Sequence, residues 1–140
     1  MMTFFSETNY HYLYRMTNNC AIITGATFGL LSIIFGAFGA HALKKVLTAE
    51  KLASFEVGVR YQIYSALFLI LIGYNANFEL SLINWAYYLV TIGTVLFSFS
   101  IYLLSLAEYL KKNFKFLGPI TPLGGLLMIL GWGCLLLSAI

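Results

Sequence analysis

The chain has 140 residues, of which 61% are hydrophobic and only 9% are charged, and its formal net charge is +3. An ordinary soluble domain carries roughly 25% charged residues, so this composition excludes a soluble fold of the same size. The mild net charge gives no indication of a nucleic-acid partner, and the two cysteines and two histidines have no metal-ligand spacing. The composition indicates one small polytopic membrane protein in contact with the lipid bilayer, and neither a metal nor another cofactor is expected.

Residues 1–19 are expected to form an N-terminal tail that is polar, rich in aromatic side chains and without a strong helical or strand period. Its phenylalanine and tyrosine side chains suit the interface between membrane and water. Met16 offers an alternative start, in which case the residues before it would be absent from the cell. The sequence leaves the two starts open.

The first predicted span covers residues 20–40, which contain no Asp, Glu, Lys or Arg. At ~1.5 Å per residue this run gives about 31 Å, one hydrocarbon thickness. Because lipid supplies no hydrophobic drive between helices, helix association depends on the close backbone approach that small residues permit. The span is predicted to pack on another helix, in this chain or in a second copy. Its small residues share one side at spacings of four, three, four and four: Gly25, Gly29, Ser32, Gly36 and Ala40.

A secretory signal peptide is the rival interpretation of this first span. The tripeptide Ala-His-Ala at residues 40–42 resembles a small-x-small cleavage site. However, the apolar run is longer than a usual signal core, and Arg15 is the only positive side chain before it. A retained membrane helix is the favoured interpretation.

The second predicted span covers residues 61–77 and follows a charged loop. Within that loop, Thr48 is expected to cap a helix that begins at Ala49 and lies in the membrane interface before the chain turns inward. Gln62 and Ser65 lie on the small-residue side of the span. Hydrogen bonds between helices explain such neutral polar groups without a transport site.

The third predicted span, residues 85–106, has one aromatic belt near its start and a second, formed by Tyr102 with Tyr109, near its end. Gly93 and Ser100 lie seven residues apart on one face and are predicted to pack against a neighbouring helix. The serine and threonine hydroxyls on another stripe of this helix can bond their own backbone, so they need no substrate to explain them.

The fourth predicted span covers residues 121–140, with Thr121 as the helix N-cap and Pro122 as the first helical residue. Gly124 and Gly131, also seven residues apart, are predicted to face a neighbouring helix. Each span must be helical, because unpaired backbone groups are not tolerated in lipid. The predicted fold class is therefore all-α, a four-helix transmembrane bundle that forms one membrane domain over residues 20–140.

The basic residues are unevenly divided between the two sides of a four-span topology. Arg15 is the only Lys or Arg on the side that holds the tail, the second loop and the C-terminus, whereas the first and third loops carry seven. The positive-inside rule therefore predicts that the charged loops are cytoplasmic and that both termini lie on the exoplasmic side. The expected location is the plasma (inner) membrane, as a multi-pass protein.

Four stretches occur in order along the chain: GAFGAHALK, YQIYSALFLI, GTVLFSFSIYLLSL and LGPITPLGGLLMILGW. This set resembles the small membrane proteins grouped as domain of unknown function 423 (DUF423), and it is similar to the eukaryotic transmembrane-protein-256-like proteins. The resemblance covers about residues 21–140. It implies a four-helix integral membrane protein of bacterial inner-membrane type, and it implies no biochemical activity because the family is uncharacterised. The family motif residues in this chain are Gly36, Gly39, His41, Tyr61, Gln62, Ser98, Ser100, Tyr102, Gly118, Pro119, Thr121, Pro122, Gly124, Gly125, Gly131 and Trp132.

Two positions depart from the family pattern. The family often has a histidine where this chain has Ser65, and it often has a glycine where this chain has Phe99. If the family histidine handles a metal ion or protons, this member lacks that capacity. The tail before Met16 also lies outside the family pattern.

Three functional classes are weighed for this bundle. The favoured role is structural or interactive, in which the bundle assembles with a second copy or a larger membrane complex, because small-residue faces are present and charge at membrane depth is absent. A small-solute transporter or channel is the alternative, although no broken helix and no inverted repeat is apparent. An enzyme is least favoured, because the chain has no nucleophile–base motif and no phosphate-binding loop. The candidate polar cluster, at helix ends on the cytoplasmic side of the predicted topology, is His41, Tyr61, Gln62 and Thr121.

Overall fold

The computed structural model describes the backbone of residues 2–140 and the side chains of residues 16–140. Over this part the chain is all-helical, and four of its helices are long and apolar enough to cross a membrane. Helices are expected here because lipid offers no partner for backbone N–H and C=O groups. The helices are α1, Met2–His41; α2, Ala49–Asn75; α3, Ser81–Leu106; and α4, Ile120–Ser138, with short 3-10 turns at Leu43–Lys45 and Lys115–Leu117.

Helix α1 begins well before the first predicted span. Its backbone is helical without a break from Met2 to His41, so the segment expected to be an irregular tail continues the span. The predicted place of the tail's aromatic side chains at the membrane surface lies outside the described side chains. The division of the chain into a tail and a membrane domain stays a prediction.

Helix α2 starts at the residue that the capping pattern predicted. The Thr48 hydroxyl accepts a hydrogen bond from the Lys51 backbone N–H at 3.3 Å, which confirms Thr48 as the N-cap. The predicted turn between an interfacial helix and the second span is wrong, because α2 is continuous from Ala49 to Asn75. Gly58 is tolerated inside this helix because the Tyr102 ring of α3 fills the space where its side chain would lie.

Helix α4 starts two residues earlier than the capping pattern predicted, at Ile120 rather than Pro122, and its first turn is built differently. Pro119 occupies the N-cap position, and no side chain caps the helix. The prediction that Thr121 is the N-cap is wrong. Since Thr121 already lies inside the first turn, its hydroxyl is free to bond across to Ser100 of α3, at 2.7 Å.

The helices pack in chain order, α1 on α2, α2 on α3 and α3 on α4. Helices α1 and α4 do not approach each other in the described part, so they flank the central α2–α3 pair on opposite sides. Short connections place successive helices antiparallel, as in other membrane bundles. The apolar core includes Phe68, Leu69 and Ile72 of α2 with Ala86 and Val90 of α3. This arrangement decides which side chains can meet inside the bundle.

Candidate functional site

Helices α3 and α4 approach each other most closely through glycines. A Cβ atom added at Gly124 would lie 2.5 Å from the Phe97 backbone nitrogen and 2.7 Å from the Gly93 carbonyl oxygen. A Cβ atom at Gly131 would lie 2.5 Å from a methyl group of Val90. These distances leave no room for a side chain, so this interface depends on residues without one. The structure thus places Gly93, Gly124 and Gly131 along a single helix–helix contact.

Helices α1 and α2 also meet on the small-residue face of α1, but the closest approach is not at its centre. A Cβ atom at Gly25 would lie 2.8 Å from the Ala66 carbonyl oxygen, whereas one at Gly36 would lie 3.6 Å from a Val59 methyl group. Gly29 is also loosely packed, with Ala66 3.8 Å from its added Cβ atom. Ser32 is buried. The tightest backbone contact of this pair is therefore at Gly25.

A neutral hydrogen-bonded network links α1, α2 and α3 inside the bundle. Its centre is Gln62, which is 5% exposed. The Gln62 Nε2 donates to the Phe28 carbonyl at 3.1 Å, and the Tyr102 hydroxyl donates to Gln62 Oε1 at 2.6 Å. One turn along α3, the Ser98 hydroxyl donates to the Gly58 carbonyl at 2.9 Å. Each hydrogen bond in this network joins two different helices.

A second set of neutral groups attaches α4 to the central helices. The hydroxyl oxygens of Ser100 and Thr121 lie 2.7 Å apart. The hydroxyls of Ser65 and Thr94 each lie 3.6 Å from the Met128 sulfur. The sulfur accepts weakly from Ser65, whereas Thr94 donates to the Val90 carbonyl oxygen at 2.6 Å. The Met128 contacts join α2, α3 and α4 at one level of the bundle, about two helical turns from the contact between Ser100 and Thr121. Ser65, the position where the family often has a histidine, thus has a packing partner on α4.

The structure does not gather the predicted polar cluster of His41, Tyr61, Gln62 and Thr121. His41 is exposed at the end of α1, and Tyr61 is exposed with its ring 5.0 Å from the ring of Phe97. Gln62 and Thr121 bond to the separate partners described above. The physical reason is the early start of α2, because thirteen residues at ~1.5 Å place Gln62 about 20 Å from the beginning of its helix.

Tyr102 belongs to the hydrogen-bonded network around Gln62, whereas the sequence pattern wrongly assigned it to an aromatic belt. Its side chain is only 6% exposed and lies between Phe35 of α1 and Phe55 of α2, with ring centroids 5.0 and 4.7 Å away. The signal that could have found it is Ser98, four residues earlier on the same helix face. A tyrosine above a buried serine, one helical turn apart, marks an inward-facing polar stripe.

A groove of about 820 Å³ separates α2 from α4 on the outer surface of the bundle. Its floor includes Ser65 and Met128, and its walls include Phe68 and Trp132, whose rings lie 4.6 Å apart. Past Leu71 the gap continues as a shallower depression of about 450 Å³ towards the α2–α3 connection. The groove exists because the glycines let α4 pack closely on α3, whereas no such close contact joins α4 to α2.

The charged groups of the bundle lie outside its interior. Among residues 16–140, every Asp, Glu, Lys and Arg side chain is exposed or partly exposed. The same residues contain no group of three His, Cys, Asp or Glu side chains that could hold a metal ion. The buried polar side chains of this part are Gln62 together with serines and a threonine. The interior chemistry that the structure shows is neutral hydrogen bonding.

Four apolar helices with a neutral, glycine-packed interior define a small integral membrane protein. A family model described as "Protein of unknown function (DUF423)" matches residues 35–125. The chain belongs to the DUF423 family, which confirms the resemblance found in its motifs.

Relatives extend the match over most of the chain. A UPF0382 membrane protein of Staphylococcus haemolyticus is 42% identical over 117 residues, which cover 84% of this chain and 92% of that protein. The UPF0382 membrane protein YwdK of Bacillus subtilis is 36% identical over 121 residues, covering 85% and 94%. The UPF0382 inner membrane protein YgdD of Escherichia coli is 32% identical over 126 residues, covering 89% and 92%. No solved structure matches the chain.

Proposed function

We propose that this protein is a structural and interaction component of the plasma (inner) membrane, which assembles with a second copy or within a larger membrane complex. One observation carries the proposal: the buried polar groups of the described helices are all neutral. Those of Gln62, Ser98 and Tyr102 bond to one another or to neighbouring backbone. Because these side chains bond the helices to one another, the bundle is a rigid body with outward-facing surfaces. The proposal assigns no catalytic step.

A small-solute transporter or channel is the alternative function. Transport pathways usually place ionisable residues at membrane depth, where they pair with each other or with the transported ion. The described helices bury no such residue. Gln62 is the centre of the buried polar network, and both ends of its amide are bonded within the bundle. These observations favour the structural role over the alternative.

The proposed orientation places the basic loops in the cytoplasm and both termini on the exoplasmic side. It is supported by the seven basic residues of the first and third loops, against Arg15 alone on the opposite side. Single cysteines at Asn77 and Lys112, in a chain with Cys20 and Cys134 replaced, test it in intact cells with a membrane-impermeant thiol reagent. We expect position 77 to react and position 112 to be protected. The reverse pattern would contradict the orientation.

The functional proposal is tested by measuring the assembly state and solute flux of the same preparation. The full chain is purified in mild detergent, and light scattering gives the protein mass of the particle. We expect a discrete stoichiometric assembly, and we expect vesicles containing the protein to be no more permeable to ions or small solutes than empty ones. A monomer whose vesicles conduct, with flux lost in Gln62→Leu while the fold is retained, would overturn the proposal in favour of transport.

A further inference from the structure

The groove between α2 and α4 is apolar along its length. Its lining is aliphatic and aromatic, with Phe97, Ile129 and Trp132 among the contributors. The Ser65 hydroxyl on its floor is already bonded to the Met128 sulfur. A ligand of this surface must therefore be hydrocarbon over most of its length, since a polar ligand would find few partners there.

The groove is about one leaflet long. It runs along α2 from Tyr61 to Ile72, eleven residues that span about 16 Å. That length matches about half of the ~30 Å hydrocarbon core of a bilayer. Because its volume of about 820 Å³ is open to the outer surface of the bundle, flexible hydrocarbon chains can enter it.

One end of the groove lies beside the basic surface of the protein. Tyr61 and Tyr64 line that end, and the exposed Arg60 precedes them in the chain. The two loops at this end of the bundle, with the start of α2, carry seven Lys and Arg residues against three Glu residues. Basic clusters at the edge of the hydrocarbon layer attract anionic lipid head groups.

From this juxtaposition we infer that the groove holds the acyl chains of one anionic phospholipid. The chains lie between α2 and α4, and the head group lies at the end marked by Tyr61, Tyr64 and Arg60. The tyrosine hydroxyls and the guanidinium supply donors for a phosphate group. This binding site goes beyond the proposed structural role and does not depend on whether the protein assembles with a partner.

The test uses a photoreactive phosphatidylglycerol that carries a diazirine in one acyl chain, with the phosphatidylcholine of the same chains as the neutral probe. The full chain is reconstituted in vesicles with each probe, irradiated and digested, and mass spectrometry locates the adducts. We expect phosphatidylglycerol adducts to concentrate on groove residues such as Leu71 and Ile129. Removing one basic side chain by Arg60→Gln should lower the preference over phosphatidylcholine by about fivefold, the attraction of one such charge.

A matched pair of glycine variants separates the groove from the rest of the lipid-facing surface. A Cβ atom at Gly125 makes ordinary contact with the Phe97 ring at 3.6 Å, so Gly125→Leu is expected to fold and to fill the groove. Gly133, on the same helix, has open space around it, so Gly133→Leu makes the same change outside the groove. We expect Gly125→Leu to lose the groove adducts and Gly133→Leu to keep them. If Gly125→Leu does not fold, Ile129→Trp is used, because Ile129 is 69% exposed within the groove.

Three results would overturn the inference. The first is equal labelling of the groove in the filled variant and in Gly133→Leu. The second is equal labelling by the two probes with no effect of Arg60→Gln, which would indicate ordinary lipid contact only. The third is a groove that neither probe labels in the full chain, which would show that lipid does not occupy the surface.

Discussion

The α3–α4 contact at Gly124 gives the sharpest test of how this bundle is held together. In Gly124→Ala the new methyl group would lie 2.5 Å from the Phe97 backbone nitrogen, 2.7 Å from the Gly93 carbonyl oxygen and 2.9 Å from the Phe97 Cα atom. All three are backbone atoms, which cannot rotate away as a side chain can. The two helices must therefore move apart as rigid bodies.

The size of the effect follows from that separation. Real Cβ contacts rarely fall below 3.4 Å, so the Phe97 contact requires about 0.9 Å of movement. A gap of that size forfeits about a quarter to a half of the dispersion attraction across the interface, including the contacts of Gly131 with Val90. Overpacking of this kind costs about 1–3 kcal/mol. Alanine recovers at most about 1 kcal/mol through its higher helix propensity.

The matched control is Gly133→Ala, on the same helix, where the added methyl group meets nothing within 4 Å. It gains the same helix propensity without the clash, so Gly124→Ala should be less stable than Gly133→Ala by about 1–3 kcal/mol. The assay is reversible unfolding in mixed micelles as the proportion of a denaturing detergent rises. Fluorescence of Trp132, packed against Phe68 of α2, follows the loss of α4. Equal stability of the two variants would refute the claim that backbone contact holds α4 to α3.

Two further predictions use the same unfolding assay. Gly25→Ala should destabilise the protein by about 1–3 kcal/mol more than Gly36→Ala, because the first methyl group meets backbone at 2.8 Å and the second meets only a side chain at 3.6 Å. Equal effects of the two changes would show that Gly25 does not set the α1–α2 spacing. Gln62→Leu and Tyr102→Phe should each cost about 0.5–2 kcal/mol and should be non-additive, because they remove the same 2.6 Å hydrogen bond. Strict additivity of the two changes would contradict that bond.

The sequence alone was sufficient for the class of protein and the number of helices. The apolar runs are long enough to span lipid, and in lipid an apolar run must be helical, so both conclusions follow from local composition. The Thr48 cap could also be predicted, because a capping bond joins residues three apart in the chain. The family could be named because its motifs keep their order and spacing. The start of α4 was misplaced, because the Thr-Pro pattern predicted a cap at Thr121, whereas the helix begins at Ile120 without a capping side chain.

Which side chains meet inside the bundle was decided only by the tertiary structure. Sequence spacing shows which residues share a face of one helix, but it does not show which neighbouring helix that face meets, or at what height. Gln62 therefore looked like a helix-end residue, whereas the structure bonds it to Phe28 and Tyr102 in the interior. The groove was equally invisible in the sequence. It is a gap between two helices that are close in space but separated in the chain, and it opens because Gly124 lets α4 approach α3 closely while no such contact draws it to α2.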